Sequence, residues 1–500
     1  MMLLEMASSG FGDRIAVGTR ADGITYTELF DRAGRAASWF RELGVERVSY
    51  VDESTVNLPI CLFASGWTGL PFVPLNYRLT EEELHRLGSE VSPAITVCQA
   101  TSVSCMEGVG GMVVVTDDGF ASQVDAHQAA EPIWDMDPES IAILLYTSGT
   151  TGPPKAAVLR HKHLVSYILM SVEFMGAGEE EATLVSVPPY HVAGMAAILS
   201  SVYAGRRIVQ LPHFDPGRWV DLARSEGITH AMVVPTMLAR IIEHIDATGG
   251  EGIPTLRAVS YGGGKMPLPV IERALELFPS CNFVNAYGLT ETSSTIALLG
   301  PDDHRIAFAS DDPAVRRRLT SVGQALPGVE ISIRDENGDP VPAGGRGEVW
   351  VRGEQVSGEY LGRTSRVTEE GWFPTHDGGS LDADGYLFLE GRLDDIIIRG
   401  AENISPGEVE DVLLAHDAVT DAAVIGVPST QWGEKIVAAI VLHSGRSATE
   451  DELKAWCAEH LRSSRTPEVI EVRDELPYNE TGKLLRRVLR QELAEAHGDG

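Results

Sequence analysis

The sequence predicts an α/β protein. We expect a large N-terminal domain of layered α/β subdomains that includes a small β-rich subdomain, followed by a small, mobile α+β domain. Helix-like stretches alternate with short β-rich ones from Tyr26 to about residue 300, which is typical of layers around a largely parallel sheet. Between roughly 320 and 392 the pattern changes to alternating apolar and polar residues, and after that strands and helices are mixed.

The length and composition fit several folding units. The chain has 500 residues, of which 43% are hydrophobic and 22% charged, so it can bury a large core. Lys and Arg number 40 against 72 Asp and Glu, and the formal net charge is −32. Such a surface repels nucleic acid and anionic membranes, so we expect neither as a partner. A site for an anionic ligand must therefore be built locally, against the overall field.

Cysteine usage and the N-terminus predict a soluble, cytoplasmic protein. The five cysteines are scattered without a C-x-x-C pair, which suggests neither a disulfide framework nor a zinc site. The start MMLLEMASSG has an early acid and no basic region, unlike a secretory signal. The most apolar window, LPICLFASGWTGLPFVPL, is interrupted by Pro, Ser and Gly, which argues against a membrane span.

Individual elements follow from local patterns. We predict a helix over TELFDRAGRAASWFREL and strands at AITVC and GMVVVT. VEISIRDENGDPV alternates around Asn337-Gly338, a hairpin turn signal, and GRGEVWVRG follows as a strand. In SPGEVEDVLLAH, the residues Ser405, Pro406 and Glu408 predict a capping box with proline at the first helical position. Strands AAVIGV and KIVAAIVL and the helix TEDELKAWCAEHL complete the C-terminal unit.

The stretch YTSGTTGPPK, from Tyr146 to Lys155, has the composition of a phosphate loop. Its hydroxyls and glycines can approach phosphate oxygens closely, and Lys155 adds a compact positive charge. The spacing is not that of a Walker loop, and the prolines disfavour the helix start that such a loop requires. A flexible solvent loop is the alternative. The buried-looking strand IAILLY just before it favours the phosphate interpretation.

YTSGTTGPPK resembles the phosphate loop of the adenylate-forming superfamily, which includes acyl- and aryl-CoA synthetases, nonribosomal adenylation domains and firefly luciferase. The resemblance covers nearly the whole chain, from VPLNYRLTEEEL to ETGKLLRR, with the motifs in family order. The chain looks closest to bacterial fatty-acid and aryl-acid CoA ligases. The resemblance implies domains at 1–392, with the β-rich part at about 320–392, and at 397–500, joined by a hinge at 393–396.

The resemblance also implies roles for individual residues. In the family, a loop of this kind holds the departing β- and γ-phosphates of ATP while a carboxylate attacks the α-phosphorus. The residues implied in cofactor binding are Thr147, Ser148, Gly149, Thr150, Thr151, Gly152 and Lys155 in this loop, Gly262, Gly263 and Gly264 in YGGGKMP, Asn285, Ala286, Tyr287 and Gly288 in NAYGLTET, Asp377 in PTHDGG, Arg392 in EGRLDD, and Gly400.

Within these motifs the resemblance is specific about chemistry. Tyr287 would stack on adenine, and Asp377 with Arg392 would bind the ribose. Thr290 would contact the α-phosphate, and Glu291 would bind Mg²⁺, because a hard cation prefers carboxylate oxygen. Without the resemblance, the alternative interpretations are that the glycines of YGGGKMP form a tight turn, that Glu291 is a solvated turn residue, and that Asp377 and Arg392 are surface charges.

The remaining implied residues concern acyl transfer. Lys483 in YNETGKLLRR would be the catalytic lysine, Asp394 the hinge residue and Gly400 part of the pantetheine passage. His191 in PPYHVAG would help shape the route between acyl site and thiol, although a satisfied core histidine is the alternative. Otherwise, Lys483 is a lysine at a cationic helix start. QWGEK, near residue 432, also resembles the small domain of CoA synthetases.

The sequence departs from the family pattern at His376 and Ala156, where relatives usually carry glycine. We expect the His376 departure to alter the turn without changing the role of Asp377. The effect of Ala156 on the loop stays open.

The predicted function is that of an ATP-dependent acid–thiol ligase that uses Mg²⁺ and coenzyme A. It would activate a medium-chain fatty or aromatic acid as acyl-AMP and transfer the acyl group to coenzyme A. The apolar candidate pocket segments disfavour amino acids and dicarboxylates, although Lys265 could reach a polar substrate tail. Alternatives are an enzyme that loads a carrier protein, a dicarboxylic acid ligase, a luciferase-like oxygenase and an inactive adenylate sensor. The sequence leaves the oligomeric state, monomer or homodimer, open.

Overall fold

Strands and helices alternate along the chain. The computed structural model describes residues 1–147, 154–400, 402–479 and 484–499. Within them, no helix is both long and apolar enough to cross a bilayer. The strands are β1 (Ile15–Val17), β2 (Ile24–Thr25), β3 (Arg47–Val51), β4 (Phe72–Pro74), β5 (Ala94–Cys98), β6 (Met112–Thr116), β7 (Ile141–Thr147), β8 (Lys155–Arg160), β9 (Ala182–Val185), β10 (Arg207–Gln210), β11 (His230–Val233), β12 (Ala258–Gly262), β13 (Asn282–Leu289), β14 (Ser294–Leu299), β15 (Gln324–Ala325), β16 (Val329–Arg334), β17 (Arg346–Gly353), β18 (Phe373–Leu381), β19 (Leu387–Arg392), β20 (Ile397–Arg399), β21 (Glu402–Ile404), β22 (Val419–Ser429), β23 (Gly433–Leu442) and β24 (Val469–Arg473).

The helices connect these strands. They are α1 (Met2–Phe11), α2 (Tyr26–Leu43), α3 (Asn57–Thr68), α4 (Glu81–Val91), α5 (Val103–Glu107), α6 (Asp117–Ala126), α7 (His161–Ser171), α8 (Val192–Ala204), α9 (Pro216–Ser225), α10 (Pro235–Ala247), α11 (Leu268–Leu277), α12 (Pro301–Ala309), α13 (Pro313–Arg316), α14 (Pro406–Leu414), α15 (Glu450–His460) and α16 (Arg486–His497).

Two largely parallel sheets form most of the N-terminal part. One has the order β6-β5-β3-β4-β7-β8, in which only the β7–β8 pair among its described pairings is antiparallel. The other has the order β15-β14-β13-β12-β11-β9-β10-β1-β2 and is parallel from β13 to β1. The sequence predicts one such sheet. Alternation along the chain indicates layers but not which strands become neighbours, so it could not separate the two.

The predicted elements of this part are confirmed. AITVC and GMVVVT form β5 and β6, and β5 is buried along its whole length, as expected for a parallel strand covered on both faces. The helix predicted over TELFDRAGRAASWFREL is α2, whose first turn is closed by a capping box between Thr25 and Glu28. The helix ends at Gly44, which has the left-handed conformation typical of a helix C-terminus.

The β-rich part is a four-stranded antiparallel sheet in the order β16-β17-β18-β19. The turn predicted at Asn337-Gly338 is present: Gly338 has φ +83°, and Asp335 Oδ1 accepts the N–H groups of Asn337 and Asp339. The chain returns beside β16 only at a single bridge, Arg334 with Pro340. The turn is therefore confirmed, but the long partner of β16 is β17 rather than the segment directly after the turn.

The C-terminal part is a sheet in the order β21-β20-β23-β22, with β24 parallel to β23. The helix predicted at SPGEVEDVLLAH begins at Pro406 as expected, but the predicted capping box is wrong. Ser405 Oγ donates to the carbonyl of Glu390 at 2.6 Å, and Glu408 pairs with Arg465. Tertiary partners thus replace the local caps. The domain boundaries 1–392, 393–396 and 397–500 stay predictions.

Candidate active site

Three motifs predicted separately meet at one edge of the nine-stranded sheet. Strands β9, β11, β12 and β13 are parallel neighbours, so their carboxyl ends lie on the same side. His191 follows β9, Gly263 and Gly264 follow β12, and Thr290 follows β13. Ligands of open α/β sheets bind outside the carboxyl ends of such strands. The edge is therefore the candidate active site.

Glycines permit close backbone contacts at this edge. Gly262 pairs with Ala286, and a Cβ at Gly262 would lie 2.2 Å from the Ala286 carbonyl oxygen. A Cβ at Gly288 would lie 1.7 Å from the carbonyl oxygen of Ser294. Gly263 has φ +82°, a conformation that glycine adopts without strain. Strand packing thus requires glycine at 262 and 288 independently of any ligand.

The proposed metal ligand Glu291 is held by a distant segment. It lies in a short 3₁₀ turn (Thr290–Thr292) and is 9% exposed. Its carbonyl accepts the N–H groups of Ser357 and Gly358 at 2.8 and 3.1 Å, and the Tyr360 hydroxyl donates to its Oε1. Sequence reasoning missed Ser357 and Tyr360 because no motif spacing connects them with Glu291.

The predicted phosphate loop lies in the chain between two antiparallel strands. Thr147 ends β7 and Lys155 begins β8, and the two residues lie opposite each other. A strand follows the loop, which confirms that no helix starts there. Ala156, the departure from the family pattern, is buried, and its carbonyl accepts the N–H of Leu361 at 2.9 Å. The predicted loop residues Ser148, Gly149, Thr150, Thr151 and Gly152 lie outside the described residues.

Asp377 is the centre of a hydrogen-bonded group. It is 8% exposed, and its two oxygens accept the Tyr287 hydroxyl at 2.5 Å and Arg392 Nη1 at 3.0 Å. Burial and the Asp377 carboxylate both raise the pKa of Tyr287, so its hydroxyl is a donor. The Asn285 amide donates to the carbonyl of Ser321 at 3.0 Å, a bond that stabilises the neighbouring loop. Ala286 lies beside it in β13.

His376 has the backbone conformation that explains the usual glycine. Its φ is +61°, in the left-handed region, and its N–H donates to Glu348 Oε1 at 3.0 Å. The ring contacts the Arg366 guanidinium. The pKa of His376 is lowered mainly by burial and then by the positive charge of Arg366. Because Asp377 keeps both of its partners, strand β18 accommodates histidine at 376 without disturbing the carboxylate.

The residues predicted for the hinge and the thiol face lie in the C-terminal part or at its start. Asp394 is in a 3₁₀ turn (Leu393–Asp395). Gly400, with φ +65°, lies between β20 and β21 and donates its N–H to the carbonyl of Trp432 at 2.6 Å. Beside it is an open cleft of about 610 Å³ lined by Arg399, Gly400, Glu402, Trp432, Ser463 and Ser464. The predicted catalytic Lys483 lies outside the described residues.

Two further residues were considered above for the predicted acyl site. His191 is half-buried directly before α8, and its ring centroid lies 4.6 Å from that of Tyr190. Lys265, considered above for a polar substrate tail, lies with its Nζ 2.5 Å from Asp411 Oδ1 of α14. Its charge is therefore already paired in this arrangement.

Comparison with known proteins agrees with this geometry. Residues 4–361 match the family model described as AMP-binding enzyme, and residues 408–483 match the AMP-binding enzyme C-terminal domain. The chain belongs to the AMP-binding enzyme family. This AMP-binding enzyme is 32% identical over 478 residues to a feruloyl-CoA synthase of Amycolatopsis sp, with 94% of each chain covered. It is 30% identical over 485 residues to a fatty acid–[acyl-carrier-protein] ligase of Streptomyces coeruleorubidus, covering 93% of this chain and 91% of the relative.

A solved structure also resembles this AMP-binding enzyme closely. The o-succinylbenzoate coenzyme A synthetase of Bacillus subtilis, in complex with ATP and magnesium ion, has a TM-score of 0.82 and 29% identity, covering 97% of this chain and 98% of that one. The predicted family, the predicted fold class and the predicted enzyme class, an AMP-forming acyl-CoA synthetase, are confirmed. The predicted cofactors ATP and Mg²⁺ agree with those of this relative.

Proposed function

We propose that this enzyme activates an apolar monocarboxylic acid, either medium-chain fatty or aromatic, as acyl-AMP and then transfers the acyl group to coenzyme A. The observation that carries the proposal is that Glu291 and Lys155 both contact Tyr360: its hydroxyl donates to Glu291 Oε1, and Lys155 Nζ lies 5.9 Å from its ring centroid. A carboxylate for a metal ion and a cation for phosphate are thereby brought to one place, as adenylation requires.

In the first half-reaction, a carboxylate oxygen of the acid attacks the α-phosphorus of ATP. The bond from that phosphorus to the bridging oxygen breaks, and pyrophosphate leaves with the electron pair. Lys155 and the loop after Thr147 hold the leaving phosphates. Thr290 contacts the α-phosphate, and the Lys483 ammonium aligns the attacking carboxylate with it.

The residues at the edge fit a magnesium ion shared with the nucleotide. Among the described residues, no group of three or more His, Cys, Asp or Glu side chains could hold a metal. Mg²⁺ commonly binds through one or two carboxylates, substrate phosphates and water, so Glu291 alone suffices on the protein side. When bound, the ion neutralises the charge of the departing pyrophosphate.

The proposed binding of the ATP ribose is supported by the geometry of the Asp377 carboxylate. A carboxylate can accept about four hydrogen bonds, and Tyr287 and Arg392 use two of these positions. The others remain for ribose hydroxyls. Because Arg392 and Tyr287 fix the plane of the carboxylate, it is oriented before the nucleotide arrives. Gly263 and Gly264, which are exposed after β12, leave backbone open to the adenine face.

The acid substrate is proposed from the surroundings of α8. The helix begins with the apolar stretch VAGMAAIL after His191. Lys265, which the dicarboxylate alternative would use, is paired with Asp411 at 2.5 Å. Using it for a second carboxylate would require displacing Asp411, an exposed partner whose pair with Lys265 contributes about 0–1 kcal/mol, so the apolar stretch of α8 is the main argument for a monocarboxylic acid. The feruloyl-CoA synthase and the fatty acid ligase among the relatives support an aryl or fatty acid, whereas the o-succinylbenzoate coenzyme A synthetase is named for an aromatic dicarboxylic acid and supports the dicarboxylate alternative.

The acceptor is proposed to be coenzyme A because of the cleft beside Gly400. Trp432 is 40% exposed there, with the Arg399 guanidinium 4.6 Å from its ring centroid. A nucleotide base can stack on such a face, and arginine attracts phosphate. The serine hydroxyls at Ser463 and Ser464 add donors. Because one relative is a carrier-protein ligase, a phosphopantetheine carrier is the second candidate acceptor.

The test is a screen of ATP-dependent pyrophosphate release over fatty, aryl, dicarboxylic and amino acids. We expect release with medium-chain fatty or aryl acids and background release with the other two classes. Thioester formation is then compared with free coenzyme A and with a holo-carrier protein. Preferential release with dicarboxylic acids would contradict the substrate proposal, and thioester formation on the carrier alone would contradict the acceptor proposal.

A further inference from the structure

The segment of residues 357–361 connects the two halves of the proposed ATP site. Glu291 follows a strand of the nine-stranded sheet, whereas Lys155 begins a strand of the six-stranded sheet. Tyr360 lies between them and contacts both. We propose that Tyr360 is a positioning residue whose hydroxyl orients Glu291 for the metal ion and whose ring orients Lys155 for the leaving phosphates. The inference rests on the function proposed above.

The hydroxyl of Tyr360 restricts the Glu291 carboxylate. It donates to Oε1, while the main chain of Glu291 is held by the N–H groups of Ser357 and Gly358 and by Ser357 Oγ at 3.0 Å. Tyr360 and Glu291 are each 9% exposed, so water competes little for this bond. No hydrogen bond from a described residue reaches Oε2. The bond therefore directs one oxygen to the tyrosine and leaves the other for a cation.

The ring of Tyr360 lies beneath Lys155. Lys155 Nζ is 5.9 Å from the ring centroid, within the range of a cation–π interaction. This contact limits the rotamers of a long side chain while leaving its N–H donors for phosphate. The ammonium is thus held near the metal carboxylate without forming a salt bridge that would consume its charge.

Backbone pairing keeps the ring and the lysine together. Ala157 and Tyr360 form an antiparallel bridge, the N–H of Leu361 donates to the carbonyl of Ala156 at 2.9 Å, and the N–H of Val158 donates to the carbonyl of Glu359 at 3.0 Å. The Glu359 carboxylate also accepts two bonds from Arg160, at 3.0 and 2.8 Å. The segment therefore behaves as an extra edge strand along β8. A shift of β8 would be passed on to Glu291 through Tyr360.

The experiment measures ATP binding by calorimetry without acid substrate, in EDTA and over a range of Mg²⁺ concentrations. Tyr360→Phe keeps the ring and removes the hydroxyl. We expect wild-type affinity in EDTA, about tenfold weaker affinity at low Mg²⁺, and recovery at high Mg²⁺, because a hydrogen bond to a charged group has been lost. Tyr360→Leu removes the ring as well and should weaken ATP binding about threefold in EDTA.

Tyr386→Phe is the matched control. Tyr386 is 6% exposed and donates to Asp303 Oδ1 at 2.7 Å, which is the same tyrosine-to-carboxylate bond in a partly buried place. It should lower the melting temperature without changing the Mg²⁺ dependence of ATP binding. Rescue by Mg²⁺ in Tyr360→Phe separates positioning from a purely structural role, which would lower thermal stability alone.

Two outcomes would overturn the inference. Unchanged Mg²⁺ dependence in Tyr360→Phe would show that the hydroxyl does not orient the metal ligand. Tighter Mg²⁺-dependent binding would show that the tyrosine competes with the metal. The failure of the proposed function would look different. In that case the wild-type enzyme itself would bind ATP without any Mg²⁺ dependence.

Discussion

Of the three consecutive glycines at the end of β12, Gly262 and Gly264 differ in how much room the protein leaves for a side chain. A Cβ at Gly262 would lie 2.2 Å from the carbonyl oxygen of Ala286, so strand pairing excludes a side chain there. At Gly264 the nearest atoms to a Cβ are side-chain carbons of Pro235 at 3.9 Å, which is ordinary contact. The protein itself would accept alanine at 264. The proposed reason for glycine at that position is the approach of the adenine base.

This difference predicts opposite effects of the same substitution. Gly262→Ala should lower the free energy of unfolding by about 1–3 kcal/mol, because β12 and β13 must separate. Gly264→Ala should leave the free energy of unfolding unchanged or slightly higher, yet weaken ATP binding severalfold. Thermal denaturation and ATP titration of both variants check this. Wild-type ATP affinity in Gly264→Ala would contradict the backbone wall beside adenine.

At the residue scale, one contact implied by the resemblance is present and another contact of a predicted site residue was missed. Asp377 and Arg392 are brought together as the resemblance implies, at 3.0 Å. The partner of Glu291 was missed, because Tyr360 lies 69 residues further along the chain and no local period connects the two. Long-range side-chain contacts of this kind depend on how two sheets pack, and a motif does not specify that packing.

At the scale of elements, helix α7 shows how local and tertiary requirements combine. It begins directly after β8, the strand that carries Lys155. His163 in its first turn is 5% exposed, and its Nδ1 accepts the N–H of Arg160 at 3.2 Å. An acceptor nitrogen must be unprotonated. Burial, then Lys162 and Arg160, lower the pKa of His163 to about 4, which keeps it neutral.

The lowered pKa predicts acid sensitivity. The unfolded chain binds a proton at His163 near its ordinary pKa of 6.5, whereas the folded chain does so only near 4. The free energy of unfolding therefore falls as the pH decreases from 6.5 to 4, by about 3 kcal/mol from this residue. His163→Asn keeps an acceptor that does not titrate, so it should remove that part of the pH dependence.

Urea denaturation of the wild type and His163→Asn at pH 8, 6.5, 5 and 4 measures the difference. At pH 8 both side chains are neutral, so similar stability there is the internal control. Equal slopes between pH 6.5 and 4 in the two proteins would contradict the assignment. Because the partly buried His230 also has a pKa lowered to about 4, the variant should retain some acid sensitivity.

The positions of the helices and strands were more predictable than the contacts that cap the helices. Strands β5 and β6 and helices α2 and α14 lie where the patterns indicate them. The capping box at Ser405 is absent because that hydroxyl donates to Glu390 instead. A local signal competes with tertiary partners, and only the folded arrangement decides which prevails.

At the scale of the whole molecule, polar contacts connect the C-terminal part with the rest of the chain. Lys265 pairs with Asp411, and Ser405 bonds to Glu390. The two ionic side chains are 44% and 54% exposed, so their pair contributes little, about 0–1 kcal/mol. Such contacts can break at small cost, which the proposed rotation of a small domain about a hinge at Asp394 would require.

The sequence itself places Gly400 in the predicted C-terminal part. The geometry of the cleft beside Gly400 could not be predicted from the sequence. The cleft needs β20, β21 and Trp432 of a separate turn to come together, and the N–H of Gly400 donates to the carbonyl of Trp432. Gly400 has φ +65°, so a larger residue there would strain the hairpin. Trp432 is therefore a better position than Gly400 at which to test the proposed thiol face by substitution.

If the small domain presents two faces in turn, substitutions on the two faces should affect opposite half-reactions. Lys483→Ala should lose most acid-dependent pyrophosphate release, about 10²-fold or more, yet convert supplied acyl-adenylate and coenzyme A to thioester. Trp432→Ala should retain pyrophosphate release and raise the KM for coenzyme A about tenfold, because a stacking surface is lost. Single-turnover assays of each half-reaction separate these effects. Full adenylation by Lys483→Ala would refute the role of that lysine. An equal loss of both half-reactions in both variants would refute domain alternation, because one fixed arrangement would then serve both steps.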